Sequence, residues 1–167
     1  ARFQVLPGRP AIILDVAHNP EAVAVLAENL ADMPFFARTI AVVGMLADKD
    51  LAGSLAALAA RVDVWLLADL DVPRGAPAAL LAAAVASAGV GGRVECLSSP
   101  AQAFARAAEL AEENDRILVF GSFYTVAAVV RSIPARGQGL VKNRGEQAEM
   151  SDQSEQRSRL AVQQISS

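Results

Sequence analysis

Asp15-Val16-Ala17-His18-Asn19-Pro20 follows the apolar run Ala11-Ile12-Ile13-Leu14 and precedes a helical pattern that begins at Glu21. A carboxylate, the chain's single imidazole and an amide therefore stand where a strand hands over to a helix. In open α/β sheets that junction holds phosphates and nucleotides, because free backbone N–H groups point at the ligand. A structural use of the same residues is equally available. Asn19 before Pro20 is a standard helix start, since Asn caps free N–H groups and Pro at the first helical position loses no hydrogen bond.

Three further segments carry chemistry-bearing residues just after apolar runs. They are Gly44-Met45-Leu46-Ala47-Asp48-Lys49-Asp50, the stretch holding Asp69, Arg74 and Gly75, and Gly121-Ser122-Phe123-Tyr124-Thr125. In a parallel sheet all strands end on one side, so these segments converge however far apart they lie in sequence. Together they offer cations, carboxylates, a hydroxyl and glycines that let a ligand approach backbone. Asp50 can also cap the helix after it, and Ser122 or Thr125 the last helix. The set as a whole points to a cleft for an anionic ligand. Neither G-x-x-x-x-G-K-[ST] nor G-x-G-x-x-G after the first strand is present, so the chain lacks a complete phosphate cradle. The residues alone lead to an α/β domain that contributes half of a nucleotide or anion site.

The elements that position these loops can be read from periodicity. Arg2–Val5, the Pro7-Gly8-Arg9-Pro10 turn and Ala11–Asp15 form an edge hairpin. Strands are expected at 39–43, 62–67, 94–97 and 116–120, and helices at 21–31, 51–60, 77–88, 100–112 and 124–133. Ser99-Pro100-Ala101-Gln102 reads as a capping box. Strands alternating with helices predict an α/β fold, a mostly parallel sheet with helices on both faces. From Gly137 the composition turns polar, so 1–136 is expected to be the domain and 137–167 a disordered tail.

Bulk properties narrow the classes. The 167 residues are 53% apolar, enough to fill one core. A net charge of −3 without a basic stripe argues against nucleic acid as partner. Cys96 is the single cysteine, which excludes an internal disulfide and suits a reducing cytoplasm. The longest near-apolar stretch, Ala76 to Val90, is too short to span a bilayer, and nothing reads as a signal peptide. A cytoplasmic monomer is expected.

Taken in order, Arg2-Phe3-Gln4, Leu14–Pro20, Gly44–Asp50, Pro73-Arg74-Gly75-Ala76 and Gly121–Val126 resemble the C-terminal domain of bacterial dihydrofolate synthase/folylpolyglutamate synthase, of the Mur ligase superfamily. The resemblance covers about residues 2 to 135. It implies a Rossmann-like domain of an ATP-dependent ligase, in which a carboxylate on dihydropteroate or folate becomes an acyl phosphate and L-glutamate attacks it. It further implies that Mg2+ ligands, P-loop and pterin site belong to a separate N-terminal domain, with no metal ligand in this chain. Carried over by position, Asp15, His18 and Asn19 would contact ATP, and Lys49 would bind glutamate and the transferring phosphoryl group. Ser122 would hydrogen-bond glutamate, Arg74 would act as a carboxylate clamp, and Lys49 and His18 would be the catalytic pair. Tyr124 stands where the family pattern often has His, and no catalytic role is assigned to it. Two alternatives remain beside the ligase: a non-catalytic nucleotide-binding module, and a Mur-type domain acting on cell-wall precursors, which the G-M-L-x-D-K-D and G-S-F-x-T-V pair disfavours. One prediction tests the domain boundary: truncation after Arg136 shifts the thermal midpoint by no more than a few degrees, about 1 kcal/mol or less, as read by calorimetry.

Overall fold

A computed structural model describes residues 3–134. Arg2 and the 137–167 segment lie outside the described residues. The elements are β1 (Gln4–Leu6), β2 (Ala11–Leu14), α1 (Pro20–Ala31), β3 (Thr39–Val43), α2 (Leu51–Ala56), β4 (Val64–Ala68), α3 (Ala78–Ser87), β5 (Arg93–Leu97), α4 (Pro100–Leu110), β6 (Arg116–Phe120) and α5 (Phe123–Ser132). They build one six-stranded sheet in the order β1-β2-β6-β3-β4-β5. The β1–β2 pair is antiparallel and every other pairing is parallel. The expected edge hairpin and doubly covered parallel sheet are both present.

Strand side chains alternate between two cores, as the period of two requires. Ile13, Ala41, Val43, Trp65, Leu67, Leu118 and Phe120 pack beneath α1, α2 and α3. Ile12, Ile40, Val42, Leu66, Ile117 and Val119 pack beneath α4 and α5. This two-sided burial explains why β3, β4 and β6 are continuous apolar runs.

The elements differ in detail from their sequence expectations. Helix α2 stops at Ala56 instead of residue 60. Beyond it the bonds tighten to three-residue turns, with Leu58 N–H to Leu55 O at 3.1 Å and Arg61 N–H to Leu58 O at 2.9 Å, which turns Leu58 and Val62 into the core. The ladder of β4 begins at Val64, because Asp63 is occupied with Thr39: its carboxylate accepts the Thr39 N–H at 2.8 Å and its own N–H donates to Thr39 O at 2.9 Å. The capping box at Ser99 is half formed. Ser99 Oγ accepts the Gln102 N–H at 3.1 Å, but the Gln102 side chain accepts from the Ser98 hydroxyl.

Two features of the topology set up the functional edge. The chain runs from β2 through α1 to β3 and leaves a gap that β6 fills last. Loops after β2 and β3 lead to helices on one face, and the loop after β6 leads to a helix on the other. A crevice opens where neighbouring loops diverge in this way. The strand ends beside it are packed too closely for side chains. Gly121 has φ +117°, and a Cβ there would strike the Gly44 carbonyl oxygen and come within 2.8 Å of Met45 Cγ. Gly121→Ala is therefore expected to cost about 2–4 kcal/mol from backbone strain and overpacking, measured as a lower urea midpoint at unchanged m.

Candidate functional site

The loop after β2 is shaped by its own polar groups. Asp15 is buried, its N–H continues the ladder to Val119 O at 3.0 Å, and its Oδ1 accepts the Ala17 N–H at 2.9 Å. That turn points the chain toward His18. The His18 Nδ1 lies 3.0 Å from the Val16 carbonyl oxygen. A carbonyl only accepts, so Nδ1 carries a proton, and in the neutral ring Nε2 is left as an acceptor. Asn19 caps α1 by accepting the Ala22 N–H at 2.8 Å, with Pro20 at the first helical position.

The loop after β3 is templated by the loop after β4. Ala47 N–H donates to Arg74 O at 2.7 Å, Ala76 N–H donates to Met45 O at 2.8 Å, and Leu46 bridges Gly75. Arg74 holds a positive φ of 65° there. The charges of this loop are divided among different tasks. Asp48 accepts from Arg74 Nη1 at 2.7 Å, and Asp50 caps α2 by accepting the Gly53 N–H at 2.9 Å. Lys49, between them, has no ion-pair or side-chain hydrogen-bond partner among the described residues.

The loop after β6 places Ser122 at the N-cap of α5, where its Oγ accepts the Thr125 N–H at 3.1 Å. The Thr125 hydroxyl lies 2.8 Å from Ser122 Oγ and donates to Gly44 O at 2.9 Å, which ties the ends of β3 and β6 together.

These three loops enclose a cleft of about 300 Å3. Val16, Leu46, Phe123 and the Tyr124 ring form its apolar walls, Gly121 lines it with backbone, and His18, Lys49, Ser122 and the Tyr124 hydroxyl are the polar side-chain groups of the lining residues. Phe123 and Tyr124 meet edge to face, with centroids 5.9 Å apart. A serine hydroxyl, an imidazole and a lysine without an ion-pair partner among the described residues, set on apolar walls, suit a ligand that carries both an anion and a donor.

Among the described residues, no group of three or more His, Cys, Asp or Glu is gathered as metal ligands require, and no helix is long and apolar enough to cross a membrane. The profile of the Mur ligase, glutamate ligase domain matches residues 1–123. The chain belongs to that family. Escherichia coli dihydrofolate synthase/folylpolyglutamate synthase is 44% identical over 138 residues, which are 83% of this chain and 31% of that protein. Two solved structures share the fold. E. coli FolC in complex with DHPP and ADP superposes at a TM-score of 0.70 with 44% identity, over 77% of this chain and 30% of that one. A bifunctional folylpolyglutamate synthase/dihydrofolate synthase with Mn, AMPPNP and L-glutamate bound superposes at 0.69 with 46% identity, over 77% and 30%. The chain thus spans about a third of the length of these relatives.

Within this Mur-type domain, the residues singled out from sequence fall into two groups. His18, Lys49 and Ser122 meet in the cleft. Asp15 and Asn19 are not among its lining residues and each accepts a backbone N–H, and Arg74 stands outside the lining, paired with Asp48. Topology accounts for the position of Arg74: β3 separates β4, whose loop carries it, from β6. Asp69 is likewise engaged, accepting the Ala78 N–H at 2.6 Å in place of the cap that Pro77 cannot provide. No local sequence signal marks the walls Val16, Leu46 and Phe123, and the S-x-x-T spacing at 122–125 is the one such signal for the bridge from Thr125 to Gly44. The Asp48-Lys49-Asp50 run yields a graded prediction in urea unfolding. Asp50→Ala costs about 1 kcal/mol through loss of the cap, Asp48→Ala less than about 1 kcal/mol as an exposed pair, and Lys49→Ala less than about 0.5 kcal/mol.

Proposed function

We propose that this cleft is the amino-acid half of an ATP-dependent ligase site that joins L-glutamate to dihydropteroate or folates. The observation that carries the proposal is Lys49: a cation without an ion-pair partner among the described residues, between two engaged aspartates and lining the same cleft as His18 and Ser122. Similarity to a synthase crystallised with Mn, AMPPNP and L-glutamate supports the choice of ligand.

In the proposed reaction the substrate carboxylate takes the γ-phosphoryl group of ATP, giving an acyl phosphate and ADP. The glutamate nitrogen then attacks the acyl carbon, the C–O bond to phosphate breaks, and phosphate leaves with that electron pair. Lys49 offsets negative charge on the incoming glutamate and on the phosphoryl oxygens. His18 Nε2 and Ser122 Oγ accept from the amino nitrogen; His18 takes the proton that the ammonium must lose before its lone pair can attack, and the second proton, shed as the amide forms, leaves with the phosphate. Asp15 and Asn19 serve by holding the His18 loop, and Arg74 by pairing with Asp48. Magnesium, on residues of a P-loop domain outside this chain, would neutralise the nucleotide phosphates. The chain carries no G-x-x-x-x-G-K-[ST], so by itself it binds and does not turn over. We place the enzyme in the cytoplasm, as a monomer.

Steady-state kinetics test the proposal. In an enzyme that joins this domain to its P-loop partner, Lys49→Ala lowers kcat/KM for glutamate by about 10²–10³, roughly 3–4 kcal/mol, while the chain alone releases no ADP. A loss below about threefold, or ligase turnover by the chain alone, would count against it.

A further inference from the structure

We propose that Thr125, which does not itself line the cleft, is a positioning residue that fixes the Ser122 hydroxyl as an acceptor toward the amino group of the incoming amino acid. The inference rests on the reading of the cleft as the amino-acid site.

It follows from counting protons in a small buried network. Thr125 is fully buried and Ser122 nearly so. The Thr125 hydroxyl lies 2.9 Å from the Gly44 carbonyl oxygen, which has no proton to give, so Thr125 donates there. Its single proton is then spent. The two hydroxyls are 2.8 Å apart, so the hydrogen bond between them takes its proton from Ser122. Ser122 Oγ also accepts the Thr125 N–H at 3.1 Å. A serine hydroxyl has one donor and two acceptor lone pairs. Its proton and one lone pair are committed to Thr125, and what remains for the cleft is one lone pair.

The cleft thus presents Ser122 with fixed polarity. Together with His18 Nε2 it offers two acceptors, which an ammonium or amine satisfies and a carboxylate does not. Among the lining residues Lys49 supplies a permanent side-chain cation for a carboxylate, and the Tyr124 hydroxyl a further donor. The amino end of the ligand is thereby directed to His18 and Ser122, and an acidic end to Lys49. Gly44 makes the device possible, because a Cβ at that position would collide with Thr125 Oγ1.

Replacing Thr125 by valine keeps the shape and removes the acceptor for the Ser122 proton. That proton then turns toward the cleft and opposes the N–H groups of the ligand. In an enzyme that joins this domain to a P-loop domain, Thr125→Val is expected to raise KM for glutamate about tenfold or more, with kcat changed less and KM for ATP within twofold. Thr125→Ser, which keeps the hydroxyl, restores KM for glutamate to within twofold. In a Ser122→Ala background Thr125→Val adds no further increase, since its effect runs through Ser122. If Thr125→Val does not fold, Thr125→Ala removes the same hydroxyl without pressing a methyl on the Gly44 carbonyl and carries the comparison. A large effect of Ser122→Ala with none from the Thr125 variants, or equal losses for both substrates, overturns the role of Thr125. No effect of Ser122→Ala on KM for glutamate overturns the amino-acid site itself, and this inference with it.

Discussion

The late insertion of β6 between β2 and β3 is the constraint on which the functional edge depends. It joins the two halves of the chain in one ladder, pairing with Ala11–Leu14 on one side and with Thr39–Val43 on the other. Because α5 leaves β6 toward the face opposite α1 and α2, the loops on either side of Gly121 part and leave a crevice. Close approach of Gly44 and Gly121, secured by the Thr125 bridge, sets the floor of that crevice. Residues more than a hundred positions apart, His18 and Ser122, become neighbours as a direct result.

Most polar groups on this edge hold the structure, which makes those left over informative. Asp15, Asn19, Asp50 and Asp69 each accept a backbone N–H, satisfying donors that would otherwise go unpaired at a turn or a helix start. Asp48 is taken by Arg74. Against that accounting Lys49 is conspicuous, for a lysine flanked by two aspartates would ordinarily be expected to pair with one of them. Having no ion-pair partner among the described residues costs the fold little, since such a pair is worth little in water.

The strand-start edge follows a different logic. Arg116 is buried without a carboxylate partner among the described residues, donating to Thr39 Oγ1 at 2.7 Å and to Leu30 O at the end of α1 at 2.9 Å, with its guanidinium 5.2 Å from the Phe36 ring centroid. Burial pushes its pKa down, yet guanidinium keeps its charge, and the α1 carbonyl end is a favourable place for it. On the outer strand β5, a hydrogen bond from Arg106 holds the Glu95 carboxyl below its usual value, and Arg93 also pairs with it. Such charges on an edge strand discourage pairing with another chain. One edge is thus closed by paired charges, and the other carries the cleft.

Local patterns in the sequence determined a great deal. Apolar runs at 39–43 and 116–120, Asn19-Pro20 before α1 and the glycine at 121 specify strands, a helix start and a turn through interactions between residues close in sequence, and each appears in the structure. The parallel sheet covered on both faces follows from their alternation, as does the general expectation that loops after strands converge. Strand order was not legible, because the partner of a buried apolar strand is chosen by packing over the whole sheet. That order decided which loops share a cleft: it brought His18, Lys49 and Ser122 together and left Arg74 one strand away with Asp48. The division between scaffold and ligand groups was likewise tertiary, since an Asp at a strand end looks the same whether it faces a ligand or caps a helix. Only the positions of Ala17, Gly53 and Ala78 N–H groups show where Asp15, Asp50 and Asp69 are spent.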